Sequence, residues 1–511
     1  MNTHSRYLLF LCLLPLLIIG CSNDEISAHS PKNIALFDTA DLQFFSAKTY
    51  NTLTPWFNPF TEIEVKLLLV SPSGRRLTVP GFFDGDGAGG VRGRTFTVRV
   101  SPDEAGIWRW QVHSNLPEFK NTKGQFSVSD SPHEQFPHGP LSILKTDPTR
   151  FAFSDQSPHF LVGKFLDMDQ PLPLRYSHTF FSEQWNDKQR EAFLKHQLAL
   201  GINKINIYLA NKGDYQGIAT TPWLGNASHN IKSRFDLHWW HQYEKWLKRF
   251  REEGIIVHLW FFADDSGFNL LTVTEREQLI TYGMARLSGY VNTLFTLALE
   301  WQEDFSEIEI RKAGLLAQNH NPWNRLISVH SLSVTDNLEE STIFFGEDWL
   351  DFIEIQTGFI NHHKINEFGR LYRRLENKPV ILEEFSFGEN NDEQRINTWS
   401  ALLTAPAGIG TGSGLKAISK FLEIIEITAY TPATGLVTTD NAYSAISHDG
   451  QVIIYIFQNG PVLFSPGKIN ASKAQWFDPR IGKLVNSIFK FNADEPLVPP
   501  TNQDWILLIT P

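Results

Sequence analysis

Between Pro140 and Ile427, short apolar runs alternate with amphipathic helical stretches, and no other feature restricts the fold of this chain so closely. The runs 160–165, 204–209, 255–262, 294–299, 326–330, 352–356, 379–384 and 407–410 read as buried parallel strands. Helical periodicity lies between them at 187–200, 237–252, 274–287 and 364–375. Eight such strands with helices between them predict a (β/α)8 TIM barrel over 140–427. In that fold the chemistry belongs at the C-terminal ends of the strands.

That rule picks out candidates without any motif. The strand ends carry Lys164, Asp167, Asn206, Tyr208, Trp260, Asp264, Asp265, Glu300, Glu303, His330, Gln356, Glu383 and Glu384. Two of these ends are acidic after an apolar run: residues 294–299 stop on Glu300, and the run at 379 closes on Glu383 and Glu384. Core packing gives no reason for those acids, whereas glycoside hydrolysis needs one carboxyl to protonate the leaving oxygen and a carboxylate across the sugar. Neighbouring residues of a strand face opposite sides, so only one of Glu383 and Glu384 is expected in the barrel mouth. Trp260 and Phe262 would offer a stacking wall, Asp264 and Asp265 hydroxyl contacts, and the other polar residues further substrate contacts. His258 with the adjacent aspartates makes no ligand set of fixed spacing, so neither a metal nor an organic cofactor is expected.

The flanks read differently. From residue 34 to 130, Ile63, Val65, Leu67 and Leu69 alternate with polar neighbours, as do Phe96, Val98 and Val100, and turn sequences separate these runs. This predicts a β-sandwich at 34–130, and similar text predicts a smaller one at 428–511. Before them, Arg6, the apolar stretch 7–19 and Ile18-Ile19-Gly20-Cys21 read as an export signal over 1–21, followed by a polar tether at 22–33. The site resembles a bacterial lipobox, which implies lipidation of Cys21, membrane attachment through that lipid and, with Ser22 next, the outer membrane of the cell envelope. A net charge of -11 with no basic run argues against a nucleic-acid partner. Aromatic residues at 13%, including 15 Trp, suit a carbohydrate partner.

Residues 99–110, RVSPDEAGIWRW, resemble the immunoglobulin-like module that precedes the barrel in a group of bacterial glycoside hydrolases. Residues 476–482, WFDPRIG, with 504–508, DWILL, resemble the C-terminal module labelled collagen-binding in such proteins. Together with the region 282–301 and residues 399–412, the chain is similar to the apiosidase-like group of TIM-barrel glycosidases. The resemblance implies a retaining glycosidase of plant or algal polysaccharide, with Glu300 as acid/base and Glu384 as nucleophile. The wider clan carries Asn just before the first acid, where this chain has Leu299, so Glu303 stays open as the acid, and the doubled acid leaves Glu383 open as the nucleophile. The same departure supports the alternative of a non-catalytic surface glycan-binding lipoprotein.

Overall fold

The structure, a computed structural model, describes residues 28–164, 177–182, 184–211, 219–225, 230–264, 266–333, 341–358, 361–385, 391–404, 406–410 and 412–511. Cys21, Asp167 and Asp265 lie outside them. Among the described residues, no helix is long and apolar enough to cross a membrane.

The N-terminal region is one eight-stranded sheet folded over on itself. Strand Arg76–Phe83 does the folding: residues 76–80 pair with Val65–Val70, and residues 81–83 pair with Arg92–Val100. A Cβ on Gly81 would lie 3.0 Å from the Val65 carbonyl oxygen, so a larger residue at the crossing point would have to push the backbone of the neighbouring strand aside. Side chains from the two halves meet between the layers, where the rings of Phe44 and Trp110 stand edge to face at 5.7 Å. The expected tether at 22–33 is shorter than its polarity suggests. Ala28–His29 pairs with Gln43 and Phe44, and Asn33–Leu36 runs parallel to Lys123–Pro132. An edge strand needs only its backbone groups, so an exposed polar segment can join a sheet without an apolar pattern.

The central region contains eight parallel strands: β1 (Leu161–Val162), β2 (Lys204–Ala210), β3 (Ile256–Phe262), β4 (Thr293–Ala298), β5 (Ile327–Ser328), β6 (Ile353–Gly358), β7 (Val380–Phe385) and β8 (Gly408–Ile409). They form two four-stranded sheets, ordered β1-β8-β7-β6 and β2-β3-β4-β5. Parallel bridges at Gly163–Lys204 and His330–Glu354 join the sheets at both edges. Among the described residues the helices are α1 (Asp187–Ala199), α2 (Leu237–Glu252), α3 (Val273–Leu287), α4 (Glu307–Asn319), α5 (His362–Leu375), α6 (Asn391–Leu402) and α7 (Leu415–Leu422). Capping boxes start three of them, Asn186/Gln189, Thr272/Glu275 and Ser306/Glu309, so the chain's own residues set where those helices begin. A three-stranded antiparallel sheet over Leu141–Ile143, Phe151–Phe153 and Pro158–His159 packs with Leu161, Ile256, Leu294, Phe352 and Ile381. These residues stand at the strand starts, so that end is plugged and only the other is left for chemistry.

The C-terminal region is one six-stranded antiparallel sheet among the described residues, where two packed sheets were expected. Its Tyr455, Phe477 and Ile506 pack in the same core as Trp399 and Phe421 of α6 and α7. Ile454, Trp476 and Leu507 face the other way, beneath Val462, Phe464 and Phe491 of the connecting segments. Loops thus cover the face that a second sheet would occupy, and the alternating pattern is the same in either case.

The N-terminal sheet is tied to α2 and α3 through buried charge. Arg99 meets Glu244 at 2.8 Å and Asp41 at 2.8 Å, and donates to the carbonyl of Arg286 at 2.7 Å. Arg286 in turn meets Glu244 at 2.5 Å and Asp84 at 2.8 Å. Each buried acid has a fixed cation against it, the arrangement that makes a buried ion pair tolerable.

Candidate active site

Strand β4 brings Glu300 to the end of the parallel strands that lies away from the plug. Its flanking amides are held on both sides: Leu299 donates to the Phe262 carbonyl at 3.0 Å and Trp301 to the His330 carbonyl at 3.1 Å. Between them Glu300 adopts φ 44 and ψ 53, the left-handed region that a non-glycine residue rarely occupies. Such strain costs on the order of 1–3 kcal/mol and persists where the surroundings impose it, as they do at many functional sites.

The electrostatics are those of a crowded acid site. Burial, the charges of Asp264 and Glu303 and the hydrogen bond that protonated Glu300 donates to Glu303 raise Glu300 to about 8, against a hydrogen bond from Gln356 that favours its ionised form. Burial also pushes Glu384 well above the usual carboxylate range, helped by the charges of Glu300, Asp264 and Glu383. Tyr208 donates to Asp264 at 2.8 Å and orients it. The group therefore holds four acids, Asp264, Glu300, Glu303 and Glu384, and in it burial first and like charge second make Glu300 and Glu384 hold their protons more tightly than usual.

A second layer lies beneath. Lys204 places its Nζ 2.7 Å from both oxygens of Glu383, and Asn206 donates to the same carboxylate. Two glycines make space for this pair: a Cβ on Gly410 would lie 2.3 Å from Glu383 Oε1, and one on Gly163 would lie 2.8 Å from Lys204 Cε. Next to the pair stand His258, hydrogen-bonded to Thr296 at 2.7 Å, and Glu354, also bonded to Thr296. Burial, aided by the Lys204 charge, keeps the His258 ring neutral by driving its pKa well below the usual value. Among the described residues, His258, Glu354 and Glu383 are the trio whose ligand-type atoms cluster within 4.8 Å. They do not converge on one point. Nε2 of His258 faces Glu354 at 3.6 Å, Nδ1 faces Glu383 at 4.0 Å, and Lys204 already neutralises Glu383.

The alternation expected for Glu383 and Glu384 fails. Ile355 pairs with Leu382 but Gln356 pairs with Glu384, so the register slips by one residue at Glu383. A bulge of this kind re-aims side chains, and here both acids serve the enclosed region, one bound by Lys204 and the other grouped with Glu300 and Asp264.

The structure brings together Glu300, Glu303, Glu384, Asp264, Tyr208 and Gln356 from the expected set. Lys164 stands half-buried just past β1. Trp260 does not form an open stacking wall: its side chain is 0% exposed, its Nε1 donates to His258 at 3.2 Å, and its ring packs between Tyr208 and His330. His330 is also buried, and Asn206 is engaged by Glu383. These three lie in the floor of the site, where Trp260 meets Tyr208, His258 and His330 and Asn206 meets Lys204 and Glu383. Lys204 and Glu354 were not foreseen, although a Lys in KINIYLA and an acid in FIEIQ, each within a buried run, are signals that could have found them.

The profile of a domain of unknown function, DUF5060, matches residues 33–115. No curated protein matches the sequence. Among solved structures, the chain is similar to a candidate glycoside hydrolase from Bacteroides vulgatus at 18% identity, covering 94% of this chain and 100% of that one with a TM-score of 0.73. It is similar to a glycoside hydrolase family 5 protein from the same organism at 13% identity, over 74% of this chain and 95% of that one, TM-score 0.59. A third structure, described as a glycoside hydrolase, shares 13% identity over 74% of this chain and 98% of its own, TM-score 0.56. At these identities the likeness is one of fold.

Proposed function

We propose that the protein is a retaining glycosidase whose eight parallel strands close a (β/α)8 barrel, with an immunoglobulin-like domain before it and a small β-domain after it. The observation that carries the reading is the grouping of Glu300 on β4 with Glu384 on β7, where burial and the like charge of neighbouring acids raise both carboxyls. Glu300 acts as acid/base and Glu384 as nucleophile. Like charges in a dry pocket cannot both ionise, so the pair holds a proton at neutral pH. Glu300 delivers that proton to the departing oxygen as Glu384 attacks the anomeric carbon, and water then completes the cycle with Glu300 as base. Glu383 is the weaker nucleophile candidate because Lys204 and Asn206 engage its carboxylate. Glu303, exposed and hydrogen-bonded to Glu300, tunes that acid and does not replace it. Asp264, Gln356, Tyr208 and Lys164 are the nearest described groups for substrate hydroxyls. The reaction as drawn draws only on carboxylates and water.

The likeness in fold to three glycoside hydrolases supports this reading, as does the apiosidase-like resemblance of the sequence. A plant or algal polysaccharide outside the cytoplasm, reached by a chain lipidated at Cys21 in the outer membrane, fits the same picture. A glycan-binding protein without turnover is the second reading, favoured by Leu299, which is 4% exposed and offers no hydrogen bond to a sugar 2-hydroxyl. The purified protein should release reducing ends from at least one member of a panel of wall polysaccharides, with the anomeric configuration of the first product retained by NMR. Binding across the panel without release would favour the second reading, and inversion would reject the double displacement.

A further inference from the structure

A cleft of about 490 Å³ opens between α5 and the first two strands of the C-terminal sheet, Tyr430–Pro432 and Ala442–Ser447. That is within the range of roughly 300–1,000 Å³ usual for small-molecule sites. Its walls include His363, Asn366, Arg370, Thr439, Asp440 and Tyr443, none of which takes part in the acid group at the strand ends.

Several of these side chains lack partners. Asn366 is 2% exposed; its Nδ2 donates to the Ser400 carbonyl at 3.0 Å, while its Oδ1 has no hydrogen-bond partner among the described residues. Thr439 Oγ1 is likewise buried without a partner among them. Arg370 donates through Nε to the Asn366 carbonyl at 3.2 Å, and among the described residues its two terminal nitrogens make no hydrogen bond. Buried polar groups without partners are costly, so their gathering on one cleft calls for a ligand that satisfies them. Beside them, Tyr443 is fixed in place, its hydroxyl bonded to His362 at 3.0 Å and His363 at 2.9 Å and its ring centroid 4.8 Å from that of Phe457.

An aromatic ring next to free donors and acceptors suits a pyranose, which has an apolar face and a rim of hydroxyls. The open guanidinium fork adds a preference, because its planar pair of N–H groups matches a carboxylate. The geometry points to a second saccharide-binding site, for a sugar unit that bears a carboxylate. Arg370 takes the carboxylate, Asn366 and Thr439 meet hydroxyls, and Tyr443 supports the ring. Asp440, exposed at the rim, accepts from a sugar hydroxyl and repels a bare anion that has none to offer. The inference rests on the saccharide reading of the chain, and the cleft would hold an acidic glycan while the strand-end acids cut elsewhere along it.

The test uses the full chain carrying Glu384→Gln, so that nothing is consumed, and titrates methyl β-D-glucuronide against methyl β-D-glucoside by ligand-observed NMR. The two probes differ in the carboxylate alone. The uronide is expected to bind at least about tenfold more tightly, Arg370→Met to abolish that preference, Arg370→Lys to keep part of it, and Tyr443→Ala to weaken both probes. Equal affinity for the two probes, or a preference that survives Arg370→Met in a protein with a normal melting transition, overturns the proposal. Turnover of a small aryl glycoside, measured without the Glu384→Gln change, is expected to be unaffected by Arg370→Lys. Absence of turnover together with an Arg370-dependent preference for the uronide would reject the glycosidase and leave the cleft standing.

Discussion

Where the N-terminal sheet meets α2 and α3, burial alone would raise Asp84 and Glu244, yet Arg286, joined by His241 at Asp84 and by Arg99 at Glu244, outweighs it and holds both acids below the ordinary carboxylate range. At the ends of β4 and β7 burial acts on Glu300 and Glu384 together with the like charges of their neighbours, and both rise. Glu383 forms a third case, more deeply buried than either yet neutralised by Lys204. Burial is common to all of these acids. What separates a structural carboxylate from a chemically poised one is whether the fold supplies a partner charge.

The comparison breaks most directly at β7. Glu384→Gln is expected to lower turnover by about a thousandfold or more while saccharide affinity, read by calorimetry, is kept. Its melting temperature should hold or rise, since a like charge leaves a crowded site. Glu383→Gln should instead strand Lys204 in the dry interior and destabilise the fold by about 3–5 kcal/mol in urea denaturation. If Glu383→Gln loses turnover with its stability intact, the two acids have been assigned the wrong way round.

At the interface, Arg286→Met removes the cation that faces Asp84 and Glu244 and should cost a similar amount, about 3–5 kcal/mol, with turnover per folded molecule unchanged. A loss of turnover in protein that melts normally would mean that this network reaches the site.

The pH dependences of the two regions should have opposite signs. Glu300 holds its proton more tightly folded than unfolded, so the stability it contributes is present below its ordinary value of 4.5 and is lost as pH rises to about 8. Glu244 is shifted down, so its contribution is present above the ordinary carboxylate range and is lost as the pH falls through it. Melting curves across pH should therefore flatten on the neutral side in Glu300→Gln and on the acid side in Glu244→Gln. Turnover of the unmodified protein should decline above about pH 8, where Glu300 loses the proton it donates. The smallest effect is expected from Gln356→Ala, which removes a hydrogen bond to ionised Glu300. The alkaline limb should move upward and turnover fall by less than about tenfold, measured as a pH–rate profile.

Much of this was legible in the chain because a strand's periodicity and the residue that ends its apolar run are local properties. Glu300 could be picked out from residues 294–299 alone, and Asp264, Tyr208 and Gln356 from their places at other strand ends. Trp260 was misread, since an aromatic residue near a strand end looks the same in sequence whether its face is open or covered by Tyr208 and His330. The pairing of Ala28–His29 escaped notice for a related reason: backbone hydrogen bonds leave no mark on residue type.

By itself the sequence determined where apolar runs start and stop, and hence which acids stand at strand ends. Tertiary structure alone decided which acid would be neutral, charged or paired. Lys204 and Glu383 are 179 residues apart in the chain, and the slip at Gln356 that lets Glu383 and Glu384 serve one interior depends on how β6 lies beside β7. A carboxylate's pKa is a sum over the charges and the solvent within a few ångströms, and the fold, not the order of residues, determines what those neighbours are.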